Sequence, residues 1–476
     1  MGKQRKDQRL ISRHFHAACL AAIALATSIA STAVAEGWAE DVVYFVMLDR
    51  FADGDPFNNA GVDVANPLAF HGGDLQGLTQ KLPEIADLGA TSVWLTPIVE
   101  QVGPIDSEHG PFHGHHGYWA NSFTRIDPRF GTEDDLRALV EQAHGLGLKV
   151  ILDVVYNHVG YDAEWTRTRP DWLRQGDDCG GSEETLCLAG LPDLRTELPE
   201  VRDYLFDAHI GLAERVGLDG FRLDTVKHIS HDFWQAHAAE VRDRLGPDFL
   251  LLGEVWDADK YLAEPYLAAG EMDAITDFGF RDRTLKYLSG VSDAARYGRY
   301  LAKRHAVPEG GLLAPFLSNH DMPTLLAMLR GDTDKLKVAA TLLLTSEGLP
   351  VLAWGEEVGR RGGLWPDNRE DMPWGEKNGI PRDEDLRAHF QQLIALRRAH
   401  PALAAAEIEI IHAEGRTLAY TRGSDALVLV NAGTEPWTFA ADGFAAQDWT
   451  LSYQSNAENQ GFTVAGGAAS VLLRSN

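Results

Sequence analysis

Val150-Ile-Leu-Asp153-Val-Val155-Tyr-Asn157-His158 is a short apolar run that ends in a polar and charged cluster. Three other segments repeat the pattern: Gly220-Phe-Arg222-Leu-Asp224, Gly253-Glu254-Val-Trp256 and Ser318-Asn319-His320-Asp321. Three of the four deliver a carboxylate where a strand should stop, and strand ends are where an α/β barrel places its chemistry. Asp224 and Glu254 stand 30 positions apart, one βαβ step. Glu254 and Asp321 stand 67 apart, two such steps, with Ala274–Phe278 as the strand between.

Strand-like runs fall at Val42–Leu48, Thr91–Thr96, Val150–Val155, Gly220–Leu223, Leu250–Val255, Ala274–Phe278, Ala314–Leu317 and Val351–Trp354. Helical patterns such as Glu133–Leu146, Val201–Val216 and Asp232–Leu245 lie between them. Eight β-then-α units predict an α/β fold, a closed (β/α)8 TIM barrel. The four segments then belong to strands three, four, five and seven. Asp153 to Asp224 spans 71 positions with no strong strand between, so residues 158–199 read as an inserted loop-rich subdomain. Short strands at turn-rich spacing predict a C-terminal antiparallel β-sandwich domain over residues 403–476. The barrel takes residues 36–157 and 200–402.

The formal charge of −27 argues against a nucleic-acid partner, because phosphate binding needs clustered Lys and Arg. Residues 1–35 read as a signal peptide. Lys3, Arg5, Lys6, Arg9 and Arg13 precede an apolar run from Ala17 to Ala30 and an Ala33-Val34-Ala35 cleavage site. A retained anchor is the alternative. Cleavage leaves a secreted or periplasmic protein with no membrane span. Cys179 and Cys187 then remain, and an oxidising compartment favours a disulfide between them over two free thiols.

Asp224 reads as a nucleophile. Arg222, two residues earlier, projects to the same side of a strand and favours an ionised carboxylate. Glu254 follows Leu250-Leu-Leu-Gly253, and apolar surroundings with neighbouring carboxylates raise a general acid's pKa. A nucleophile and an acid/base about 5 Å apart cleave a glycosidic bond with retention. Asp321 is a third carboxylate to hold sugar hydroxyls, with His158 and His320 as donors and Trp256 against the sugar. Asp153 reads as a support beneath Asn157 and His158. Singly, these segments are helix caps or ion pairs. Four in order at barrel spacing favour a site.

The segments resemble the α-amylase family of retaining glycoside hydrolases, from Asp49-Arg50-Phe51 to the terminal β domain. The resemblance implies α-glucan cleavage, with Asp224 as nucleophile, Glu254 as acid/base and Asp321 as transition-state stabiliser. It assigns His158, Arg222 and His320 to the sugar at the cleavage point. His116-Gly-Tyr118-Trp119 looks like the family's aromatic platform, with Tyr118 stacking on that sugar. Without the family, His113, His115 and His116 leave a metal site open. Lys227 matches a residue that contacts sugar on the leaving-group side. Leu191-Pro-Asp193-Leu194 resembles a segment in which Asp193, Asn157 and the backbone carbonyl of His228 ligate structural Ca2+. A helix cap is the alternative for Asp193, and Arg195 departs from the acidic or amide residue common in amylases. Trp365-Pro-Asp367-Asn-Arg369 is expected to line the cleft.

The expected activity is endo-hydrolysis of α-1,4-glucosidic bonds in starch, glycogen or maltodextrins by a monomer. The alternative is a cyclodextrin- or maltooligosaccharide-acting hydrolase or transglycosylase. Such enzymes commonly carry further β domains, either before the barrel or after the first C-terminal one. A non-catalytic glucan-binding relative would be expected to lose carboxylates, whereas Asp224, Glu254 and Asp321 are all present.

Overall fold

The computed structural model describes residues 37–257, 263–304, 306–375 and 378–475. The expected signal peptide lies outside them. Eight parallel strands form one sheet: β1 (Val43–Val46), β2 (Ser92–Leu95), β3 (Lys149–Val154), β4 (Gly220–Leu223), β5 (Leu250–Gly253), β6 (Ala274–Asp277), β7 (Leu312–Pro315) and β8 (Val351–Ala353). Neighbours follow chain order, and β8 pairs with β1. The ring closes where Phe316 bridges Val351 and the Leu349 N–H donates to Leu313 O at 2.9 Å. These strands are buried on both faces. Side chains fill the barrel inside, and helices cover it outside.

The covering helices are α1 (Leu75–Leu88), α2 (Glu133–Gly145), α3 (Pro199–Val216), α4 (His231–Arg244), α5 (Phe278–Leu288), α6 (Ala294–Arg304), α7 (Thr333–Leu344) and α8 (Glu384–Ala399). Their starts are chemically marked. Asp74, Thr132, Ser230, Asp277, Asp332 and Asp383 each accept a hydrogen bond from a first-turn amide. Strand β7 starts two residues before its expected position. The Leu312 N–H donates to Asp273 O (2.9 Å) and fixes the β6 register, and the ladder ends at Pro315, which has no N–H to give.

Between β3 and α3 lies the insertion, with Leu173–Arg174 paired to Asp193–Leu194 and a disulfide joining Cys179 to Cys187. The C-terminal sheet has the order β9 (Ile408–Glu414), β10 (Thr417–Arg422), β11 (Ala426–Asn431), β13 (Ala468–Arg474), β12 (Trp449–Gln454) and is antiparallel throughout. A short pair, Trp437–Thr438 with Thr463–Val464, packs over it around Leu427, Leu429, Phe439, Trp449 and Leu472. Strand β12 was not expected. Trp449, Leu451 and Tyr453 alternate with more exposed residues, and the pairing register with β13 shifts between Leu451 and Tyr453. Among the described residues no helix is long and apolar enough to cross a membrane.

Glu347 ties the barrel to the β domain. It accepts from Arg304 Nη1 (3.0 Å), whose Nε also bonds Asp277, and from Arg422 Nη1 on β10 (2.8 Å). Glu347→Ala leaves two buried guanidinium groups without their shared carboxylate. It is expected to cost about 3–5 kcal/mol in urea unfolding; an unchanged midpoint would contradict this role.

Candidate functional site

The ladder across β3, β4 and β5 sets Asp153 opposite Arg222, and Arg222 opposite Leu252. Arg222 Nη1 donates to Asp153 Oδ1 and Oδ2 (3.1 Å each) and to Asp224 Oδ1 (2.7 Å). Its Nη2 meets Glu254 Oε1 at 2.5 Å. One buried guanidinium thus holds carboxyls from three adjacent strands. Trp94 donates its indole N–H to Asp153 Oδ2 (3.1 Å), and the Tyr118 hydroxyl donates to the same oxygen (2.8 Å). Asp153 therefore supports Arg222, Trp94 and Tyr118, not Asn157 and His158 as the sequence suggested.

Burial is the main cause that pushes Glu254 up to about 8, with Asp224 and Asp321 adding to it and Arg222 opposing. Burial likewise raises Asp153 to about 7. Asp321 goes the other way. Burial opposes its charge, but His320, Arg369 and Arg222 outweigh this and hold the carboxyl below its usual range. Arg369 Nη2 reaches Asp321 Oδ1 at 3.2 Å, while Arg369 Nε and Asn368 Nδ2 donate to His320 O (3.0 and 2.8 Å). Burial lowers His320 to about 4 and His116 well below its ordinary value, so both rings are neutral.

These groups open into a cleft of about 300 Å³. Asp224, Glu254, Asp321, His116, Tyr118, Trp119, His158, Trp256 and His320 all line it. The Tyr118 and His320 rings lie parallel, 5.2 Å apart. Gly117 permits this turn: its φ is +94°, and a Cβ there would fall 2.1 Å from Pro97 O. Trp256 stacks on Phe278 at the rim (5.1 Å). Two expected residues stand apart. Arg222 lies beneath the floor, and Lys227 Nζ is bonded to Glu183 Oε1 (2.9 Å) in the disulfide loop. Sequence reasoning missed Tyr161, Leu188 and Ala189, which the insertion contributes to the wall. No motif marks them. His115 is buried without a polar partner, and no three His, Cys, Asp or Glu side chains gather to hold a metal among the described residues. A metal site in the His-rich loop therefore has no ligand set.

The calcium set is different, because its donors are an amide, a carboxylate and a carbonyl. His158 Nε2 lies 3.2 Å from Tyr118 O, so it carries the proton, and Nδ1 accepts from Asn157 Nδ2 (3.3 Å). The Asn157 side-chain oxygen then faces Asp193 Oδ1 (3.2 Å) and His228 O (3.0 Å). Turning the amide over would bond both oxygens but would demand protons on both His158 nitrogens. Burial opposes that charge and lowers the His158 pKa. Three oxygens facing one another fit a hard cation. Arg174 already bonds the other Asp193 oxygen (2.7 Å) and is itself paired with Glu197, which moderates the charge left for a cation.

A closed parallel barrel with carboxyls gathered in a ring-walled cleft at its C-terminal rim is the arrangement a glycoside hydrolase needs. The chain belongs to the alpha-amylase family: the family's catalytic domain, "Alpha amylase, catalytic domain", matches residues 45–173 and 184–392. A cyclomaltodextrinase of Geobacillus thermopakistaniensis is 30% identical over 433 residues, covering 84% of this chain and 70% of that enzyme. Neopullulanase 2 of Thermoactinomyces vulgaris is 32% identical over 412 residues, covering 80% and 67%. A crystal structure of an Anoxybacillus alpha-amylase superposes with a TM-score of 0.83 at 32% identity, covering 92% of this chain and 99% of that one.

Arg222→Met strips the shared cation from three buried carboxyls. It is expected to lower stability by about 3–5 kcal/mol in chemical unfolding. A loss below about 1 kcal/mol, the scale of an exposed pair, would contradict the hub.

Proposed function

We propose that the protein is a retaining hydrolase of α-1,4-glucosidic bonds in cyclodextrins and short maltooligosaccharides. The observation that carries this reading is Asp224 and Glu254 bonded to the two amino ends of one guanidinium. That sharing favours the spacing of about 5 Å used in double displacement over the wider gap of an inverting pair. Asp224 attacks the anomeric carbon while Glu254 gives its proton to the departing oxygen. Glu254 then takes a proton from the water that releases the sugar from Asp224. Asp321, held by Arg369, takes the hydroxyls of the sugar at the cleavage point, with His158 and His320 beside it, and Tyr118 offers that sugar a ring face. Trp119 and His116 back the platform. Lys227 and Trp256 belong to the leaving-group side.

Relatives named cyclomaltodextrinase and maltogenic alpha-amylase support cyclic and short substrates. Internal cleavage of starch, the first expectation, has less support. Asn157, Asp193 and the His228 carbonyl would hold calcium, which would tie the insertion to the barrel and supply no chemistry. The basic and apolar N-terminus and the Cys179–Cys187 disulfide support export to a secreted or periplasmic location.

β-Cyclodextrin and maltotriose should be cleaved faster than starch, and the first product should be the α-anomer by NMR. A β-anomer would exclude retention. Glu254 must carry its proton to act. Its raised pKa therefore keeps activity through neutral pH, and kcat/KM is expected to fall as pH rises through about 8. A falling limb near 5 would remove Glu254 from the acid role. Chelation should lower Tm, by an amount equal to about 2.7 kcal/mol if calcium had stood at a hundred times its Kd. An unchanged Tm after exhaustive chelation rules the ion out.

A further inference from the structure

Strands β5 and β1 stand opposite each other in the closed ring. Glu254 follows β5, so under the proposed function the leaving group departs on that side and the retained chain runs towards β1. Over the end of β1 two loops meet. The hairpin of Ile105–Ser107 and Gly110–Phe112 follows β2, and the turn carrying Leu364 and Trp365 follows β8. The Trp365 ring lies 5.7 Å from both His109 and Phe112. Phe112 continues the contact to Trp119 (4.6 Å) and His116 (5.6 Å), so an unbroken row of rings runs from Trp365 to the platform. Trp365 lines the catalytic cleft and is 42% exposed, and Leu364 beside it is 76% exposed. Behind the turn lies a separate cavity of about 910 Å³, lined by Pro366, Asp367 and Asp371. Arg369 touches both spaces. Leu364 and Trp365 thus put two adjacent apolar side chains at the rim of the cleft.

We infer that Trp365 and the Phe112 hairpin form a wall that ends the cleft on the side of the retained chain, making Trp365 a specificity-determining residue. This rests on the hydrolase reading above. Few glucosyl units fit between the cleavage point and the wall, so a linear substrate is cut near its non-reducing end. A ring-shaped substrate enters from the open, leaving-group side. Shortening Trp365 opens a path towards the larger cavity and admits a longer retained chain.

The test is the initial single-cut pattern on maltoheptaose tagged at its reducing end, for wild type, Trp365→Ala, Trp365→Phe and His109→Ala. Maltotriose hydrolysis is followed in parallel as a gauge of the intact catalytic centre. Wild type should leave long tagged fragments. Trp365→Ala should raise the ratio of short to long tagged fragments about tenfold, the scale of relieving one steric mismatch in a pocket. Trp365→Phe should keep the wild-type pattern. His109→Ala should shift it in the direction of Trp365→Ala by less, and it serves if Trp365→Ala does not fold. An unchanged pattern in Trp365→Ala and His109→Ala, or wild-type cutting centred on the chain, overturns the wall. A wild type inert on every α-glucan overturns the hydrolase reading itself, and the inference with it.

Discussion

One positive charge, the Arg222 guanidinium buried beneath the cleft floor, faces carboxyls from Asp153, Asp224 and Glu254. Burial penalises surplus charge, so a single cation cannot leave three carboxylates ionised there. The excess is relieved by protons. Asp153 rises to about 7 and Glu254 to about 8. Asp321 escapes because His320 and a second cation, Arg369, outweigh its burial. One electrostatic constraint therefore separates an acid from its neighbours, which is what acid catalysis at neutral pH requires.

The constraint depends on strand register. Asp153 pairs with Arg222 across β3 and β4, and Leu223 pairs with Gly253 across β4 and β5. A one-residue slip would turn Arg222 into the helix layer and leave each carboxyl alone. The aromatic groups add a second tie. Trp94 and Tyr118 both bond Asp153, so the platform is fixed to the same charge cluster as the floor. Tyr118 also accepts at its backbone carbonyl from His158, whose ring orients Asn157 towards Asp193 and His228. Three hydrogen bonds thus carry position from the catalytic floor to Asn157, whose backbone carbonyl accepts from the Leu194 N–H of the insertion.

Much of this was legible in the sequence. The barrel strands could be read because parallel strands buried on both faces are mostly apolar runs, and Asp224, Glu254 and Asp321 each follow such a run within a few residues. The C-terminal strands were harder. Strand β12 was missed although Trp449, Leu451 and Tyr453 alternate with polar residues, and Thr463–Val464, the partner of the expected Trp437 strand, is too short to carry a pattern. Contacts between loops left no trace. Nothing in Glu183 announces a bond to Lys227, and nothing in Asp153 says whether it serves Arg222 or His158. Those are choices of tertiary geometry among polar groups, and period and spacing do not encode them.

The direct measurement is the titration of the Glu254 carboxyl itself. An infrared difference between wild type and Glu254→Gln across a pH series isolates its protonated carbonyl band. The account predicts that the band persists through neutral pH and disappears with a midpoint near 8. A midpoint near 4.3, the ordinary value of a glutamate in water, would mean that Arg222 and solvent keep Glu254 ionised, and would contradict the charge-sharing account.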